Sequence, residues 1–204
     1  MNWLAHTLLS KRNIDYQLGN VLADPLKGVP WSGSSQALVD GMQMHKAIDK
    51  FTDGHVLLRT SKNRLGSKGL LKGVVLDLLY DHFLSKEWSN YSAISLDLYL
   101  SEFNENALNT LDDFPERPKT IVGRMAETNL LGKYRDMHGF AAALGRIDLR
   151  LSERLRSRET ASQFLPVIEQ NYLALLHDFN EFFPQLVEYF KQHRLGSPDF
   201  HYLL

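Results

Sequence analysis

The sequence contains no cysteine. Disulfide frameworks, thiolate metal sites and thiol nucleophiles are therefore excluded, and any bound metal must be held by histidine and carboxylate. It also lacks a net charge of consequence. Its 23 Lys and Arg face 24 Asp and Glu, leaving −1, so bulk charge gives no reason to expect a nucleic-acid partner. Long apolar runs are missing. MNWLAHTLLSKR is briefly apolar but has neither the basic leader nor the cleavage pattern of a signal peptide. Nothing elsewhere reaches the roughly 20 residues that span a bilayer. A soluble, cytoplasmic protein without a membrane partner is the expectation. Strand signals are weak, because no β-branched run is flanked by hairpin turns. Glycine-rich phosphate loops are absent, which leaves nucleotide binding without support.

What is present is helical. With 204 residues, 44% of them hydrophobic, the chain is long enough for one domain with a sizeable core, spanning residues 1–204. Leu165, Ile168, Tyr172, Leu175, Leu176 and Phe179 recur at three- and four-residue steps. The pattern predicts an all-α, compact domain of about eight helices. Helix starts are expected near Asn2, Tyr16, Ser34, Val56, Leu70, Ile94, Thr120, Gly139 and Thr160. Pro166 and Pro184 should start, end or kink helices, and the last ten residues, LGSPDFHYLL, read as a tail.

The stretch GVVLDLLYDHFLSKEW is greasy almost all round, yet it carries Asp77, Asp81 and His82. Carboxylates at i,i+4 share a face and repel, and in apolar surroundings they also lose hydration. Something positive must neutralise them, and two readings stay open: arginine or lysine from another helix, or a divalent cation. In MHKAIDKFTDGH, His45 and Asp49 form a second i,i+4 pair, a common grip on a divalent ion, or a pair with each other. Asp53 is expected to cap the following helix, with His55 at the surface. His6 interrupts an apolar face, where a satisfied core histidine is the ordinary outcome, and Asp24 precedes Pro25. The accumulation of these groups in one helical domain points to a metal site between helices.

Read in order, MNWLAH, GNVLADPLKG, HKAIDKFTDGH and GVVLDLLYDHFLSKEW resemble the bacterial acyl carrier protein phosphodiesterases. NEFFPQLVEYF at 180–190 fits the C-terminal half of that layout. That family is similar to the HD-domain metal-dependent phosphohydrolases, although the adjacent doublet here runs Asp81-His82, the reverse of the usual order. The resemblance implies hydrolysis of the phosphodiester joining 4′-phosphopantetheine to a serine of holo-acyl carrier protein, with manganese as cofactor, one ion or two. On this reading His45, Asp81 and His82 form the ligand core, with Asp24 next. Asp49, Asp77 and His6 are further ligands, orienting groups or the general base.

An acidic carrier protein calls for a basic docking face. RTSKNRLGSK supplies Arg59 and Arg64, and RIDLRLSERLRSR supplies Arg146, Arg150 and Arg154 at i, i+4, i+8. Interleaved Asp148, Glu153 and Glu159 also fit an ordinary solvated face. Lys27, in the turn after Asp24, is a weaker candidate for a phosphate oxygen. Two other functions remain: an HD-like hydrolase of a nucleotide or small phosphoester, and a non-catalytic helical module that binds the carrier.

Overall fold

The computed structural model describes residues 1–204. The fold is all-α, with ten helices, eight of which have seven or more residues, and no strand. In chain order they are α1 (Trp3–Leu8), α2 (Ile14–Leu22), α3 (Gln36–Gly54), α4 (Val56–Arg64) and α5 (Lys72–Lys86), then α6 (Leu96–Asn109), α7 (Glu116–Glu127), α8 (Met137–Asp148), α9 (Glu153–Arg156) and α10 (Leu165–Gln192). Several begin where a side-chain oxygen accepts an otherwise unpaired first-turn amide. Asn13 caps α2, Ser35 caps α3, Ser95 caps α6 and Asp136 caps α8.

Helix α5 is the buried spine. Val75, Leu76, Leu79, Tyr80, Phe83 and Leu84 are all fully buried, as a helix apolar on every side requires. They meet an aromatic ridge on α10, where Tyr80 packs edge-on to Phe179 at 5.2 Å. Buried Asp178 on the same helix accepts Ser61 Oγ at 2.8 Å and is gripped by Arg64 at 2.7 and 3.1 Å. Arg64 therefore ties α4 to α10 and is committed to that carboxylate.

Two expectations are corrected here. The last ten residues are not a loose tail. Leu203 bridges Ser92, the Leu204 amide donates to the Tyr91 carbonyl at 2.9 Å, and Tyr202 stacks edge-on against Tyr99 at 5.1 Å. The cap of α4 is His55, whose Nδ1 accepts the Leu57 amide at 3.3 Å. Asp53 stays inside α3 and faces Lys62 at 3.5 Å. Pro166 starts α10, as expected, but Pro184 lies inside it and the helix runs on.

Helices α2 and α3 touch backbone to backbone. A Cβ at Gly19 would collide with the Leu38 carbonyl, and one at Gly41 with the Tyr16 carbonyl. Close-packed interiors accommodate an extra methyl badly, at a cost of about 1–3 kcal/mol or more. Gly41→Ala is therefore expected to lose at least about that much stability, read as a lower urea midpoint. An unchanged midpoint would mean that the two helices can separate freely.

Candidate functional site

The close contact of α2 and α3 delivers Asn20 to the histidines. The Asn20 carbonyl lies 2.6 Å from His45 Nδ1, and its side-chain Oδ1 lies 2.8 Å from His6 Nδ1. The amide cannot turn round, because Asn20 Nδ2 donates to the His6 carbonyl (2.8 Å), the Leu9 carbonyl (3.2 Å) and Ser10 Oγ (3.0 Å). Both acceptors are oxygens, so both imidazoles carry a proton on Nδ1 and turn Nε2 the other way.

The two Nε2 atoms converge on carboxylates. His6 Nε2 is 3.3 Å from Asp49 Oδ1; His45 Nε2 is 3.0 Å from Asp49 Oδ2 and 3.1 Å from Asp24 Oδ1. The rings stack with centroids 4.0 Å apart. Despite these short distances, neither buried Nε2 has a properly directed hydrogen bond. One ligand atom from each of His6, His45 and Asp49 falls within 4.8 Å of the others. Asp24, exposed at the end of α2, closes the set.

Positive charge is what these atoms demand. Burial lowers the basicity of His45, but the adjacent Asp24 and Asp49 carboxylates outweigh it and raise its pKa to about 9. Burial and the neighbouring His45 charge push His6 down to about 4. Burial opposes ionisation of Asp49, yet the two histidines hold its carboxyl far below the usual range. A proton on His45 supplies one positive charge, and a divalent cation would answer the same donors. Nitrogen and carboxylate ligands oriented by a second set of hydrogen bonds are the ordinary construction of such a site.

The ligand core expected from the sequence, His45 with Asp81 and His82, is not brought together. Asp81 is 0% exposed and accepts the backbone amides of Leu4 at 2.8 Å and Ala5 at 3.2 Å. It caps α1 from across the core, a task that Asn2 leaves undone. His82 is buried with both ring nitrogens engaged, Nδ1 by the Tyr134 carbonyl at 2.7 Å and Nε2 by the Tyr172 hydroxyl at 2.9 Å. Asp77 is half-buried, 3.2 Å from the Met1 amine, which also lies 3.7 Å from Asp49. The paired carboxylates of α5 thus receive the beginning of α1.

A cavity of about 310 Å³ opens beside the cluster, with Asp24, Asp77, Trp3, Tyr134, Arg146 and Arg150 in its wall. The arginine stripe is broken. Helix α8 ends at Asp148, Arg150 sits in the following turn, and Arg154 lies exposed on the separate α9. Arg59 is exposed on α4 and does not line the cavity. Lys27 is exposed with φ +54°, and the Gly28 amide is spent on the Ala23 carbonyl at 2.6 Å. That turn closes the end of α2, in the manner of a helix C-cap. Asn2 and Asn20, absent from the expected site, are the residues that sequence reasoning missed.

The family model described as acyl carrier protein phosphodiesterase matches residues 1–186. The acyl carrier protein phosphodiesterase of Serratia proteamaculans (strain 568) is 28% identical over 197 residues, covering 96% of this chain and 100% of that protein. Its namesake from Escherichia coli O6:H1 is 29% identical over 193 residues, covering 92% and 96% respectively. No solved structure matches the chain.

Asp81 generates a pH prediction. Burial raises its pKa to about 7, against the opposing pull of the Leu4 and Ala5 amides. The folded state then binds more protons than the unfolded one between pH ~4 and ~7, so this group's contribution to stability falls as pH rises through that window. Asp81→Asn should remove the slope, shifting its stability relative to the parent by up to about 4 kcal/mol in its favour across the window. Urea titrations at several pH values check this. A difference that stays flat would show that Asp81 keeps its ordinary pKa.

Proposed function

The chain belongs to the acyl carrier protein phosphodiesterase family and is a phosphoric diester hydrolase; from that premise we propose that His6, Asp24, His45 and Asp49 hold a divalent cation and serve the removal of 4′-phosphopantetheine from holo-acyl carrier protein. The observation that carries the reading is the pair of buried Nε2 atoms, both turned by Asn20 toward the Asp49 carboxylate and both without a directed partner. Histidine and carboxylate donors without thiolate suit manganese.

In the reaction, a water oxygen bonds to phosphorus and the bond from phosphorus to the carrier serine oxygen breaks. The water proton ends on that serine, giving apo-carrier and the free phosphomonoester. A bound divalent ion supplies Lewis acidity, neutralising phosphoryl charge and making water a better nucleophile. The protein's own groups do the rest. Asp77, in the cavity wall, accepts the proton of the attacking water. Asn20 holds both imidazoles in one tautomer, so that their lone pairs stay aimed at the cluster. Exposed Arg150 and Arg154 steer the acidic carrier toward the cavity, where their effect falls mainly on encounter.

Intact-mass spectrometry of holo-acyl carrier protein is the direct test. With Mn²⁺, the phosphopantetheine mass should disappear from the carrier; with chelator it should persist. His45→Ala should slow release by at least about 100-fold at unchanged helicity, since a ligand matters no less than the groups that orient it. Loss of mass in the presence of chelator would remove the metal from the proposal, and no loss under either condition would remove the reaction.

Asn20→Ala is the sharper probe of the second half of the reading. Manganese affinity should fall by about 10–100-fold, measured by calorimetry. Unchanged affinity would mean that His6 needs no orienting side chain, because the main-chain carbonyl that serves His45 remains in the variant.

A further inference from the structure

Two buried donors in the cavity wall have no partner. Arg146 Nη2 and Asn2 Nδ2 are each shielded from solvent and make no hydrogen bond. No carboxylate lies within ion-pair distance of Arg146, although Asp24 and Asp77 line the same cavity. A guanidinium nitrogen shielded from water without a partner is costly, as is an unsatisfied amide. Asn2 has only the Tyr134 hydroxyl beside it, and nothing in the structure pairs Arg146. Arg146 projects from the last turn of α8 and Asn2 from the residue before α1, so two separate elements supply convergent donors.

We propose that Arg146 and Asn2 grip the phosphoryl group of the 4′-phosphopantetheine arm, with the uncharged part of the arm lying along the apolar wall beyond. The inference rests on the reading of the adjoining cluster as the hydrolytic site and names the part of the substrate that this chain recognises. Guanidinium presents parallel N–H donors that match two phosphoryl oxygens, and such charge-assisted bonds are roughly twice as strong as neutral ones. The carboxamide adds a neutral donor to a third oxygen position. Trp3, Val74, Leu78, Leu130 and Ile147 supply the apolar wall. A second cavity of about 370 Å³ shares Trp3, Leu130, Arg146 and Arg150 with the first and continues past Ile121 and Met125. Arg146 thus lies in the wall of both spaces. That is the arrangement needed to hold a long, flexible ligand by its single charged end. The arginine expected from sequence to dock the carrier surface acts instead inside the cavity, on the prosthetic group.

The test is binding of free 4′-phosphopantetheine and of pantetheine, which lacks the phosphate, to the full chain in Mn²⁺ buffer. Calorimetry gives the affinity, and fluorescence of the cavity residue Trp3 gives an independent signal that Trp3→Phe should abolish. The unsubstituted protein should prefer the phosphorylated ligand. Arg146→Gln should weaken 4′-phosphopantetheine by at least about tenfold and leave pantetheine unchanged. Arg146→Lys should restore part of the loss, and Asn2→Ala should produce a smaller loss in the same direction. Equal affinity of the parent and Arg146→Gln for 4′-phosphopantetheine, with helicity intact, overturns the inference, as does a parent that binds neither ligand. Carrier hydrolysis measured on the same samples separates the two ideas. Turnover with Arg146-independent binding sinks the inference and leaves the phosphodiesterase reading. Arg146-dependent binding without turnover sinks that reading and leaves the cavity as a phosphopantetheine site.

Discussion

Asn20 can serve two histidines at once only because α2 and α3 approach more closely than side chains would allow. Glycines at positions 19 and 41 let the two backbones touch. The approach presents the Asn20 main-chain carbonyl to His45 on α3, while its side chain reaches back to His6 on α1. One residue therefore sets the tautomer of two imidazoles from two helices. Were either imidazole to carry its proton on Nε2 instead, that proton would point at Asp49 and the lone pair away from it, and the donor set would no longer converge.

A second dependence runs through α5. Helix α1 has six residues, too few to be stable by itself. It is held at its start by Asp81, which takes the amides of Leu4 and Ala5, and it ends with Ser10 and Leu9 bonded around the Asn20 carboxamide. His6 is the next residue after the second amide that Asp81 accepts. The carboxylate that looked like a metal ligand thus acts at one remove, by fixing the helix that carries His6. Fully burying it raises its pKa, a cost tolerated because an uncapped helix end in the core would leave donors unpaired.

The sequence made the architecture legible, because apolar periodicity records which face of a helix is buried whatever lies opposite. The pair His45 and Asp49 was legible for the same reason, since both belong to one helix and i,i+4 spacing alone puts them together. Asp77, Asp81 and His82 were not legible. Spacing showed that the carboxylates share a face of α5 but not that the start of α1 faces them, and His82 points to the Tyr134 carbonyl on another side. The arginine stripe failed at Leu149–Ser152, where a short break turns one apparent helix into two. Asn20 left no signal, because an asparagine in a helical pattern is as often a surface residue. His55 displaced Asp53 as a cap because the backbone becomes extended one residue after Gly54, at φ −79° and ψ 135°, and only the residue at that bend can fold its side chain onto the first free amides.

The near-neutral total charge hides a strong local separation. Asp24 and Asp77 line a cavity whose wall also carries Arg146 and Arg150, and Asp49 lies beside it, within 3.7 Å of the Met1 amine that Asp77 also meets. Three carboxylates would repel a phosphodiester from the place where it must react. On the proposed reading a divalent cation would reverse the sign there and arginine would hold the substrate, so each would be of little use without its counterpart. The acidic cluster alone would be a metal site with no substrate, and the basic wall alone would bind an anion with no means to cleave it. Because positive and negative groups are drawn from segments far apart in sequence and nearly cancel in number, composition reports neutrality where the folded chain gathers both signs in the wall of a single cavity.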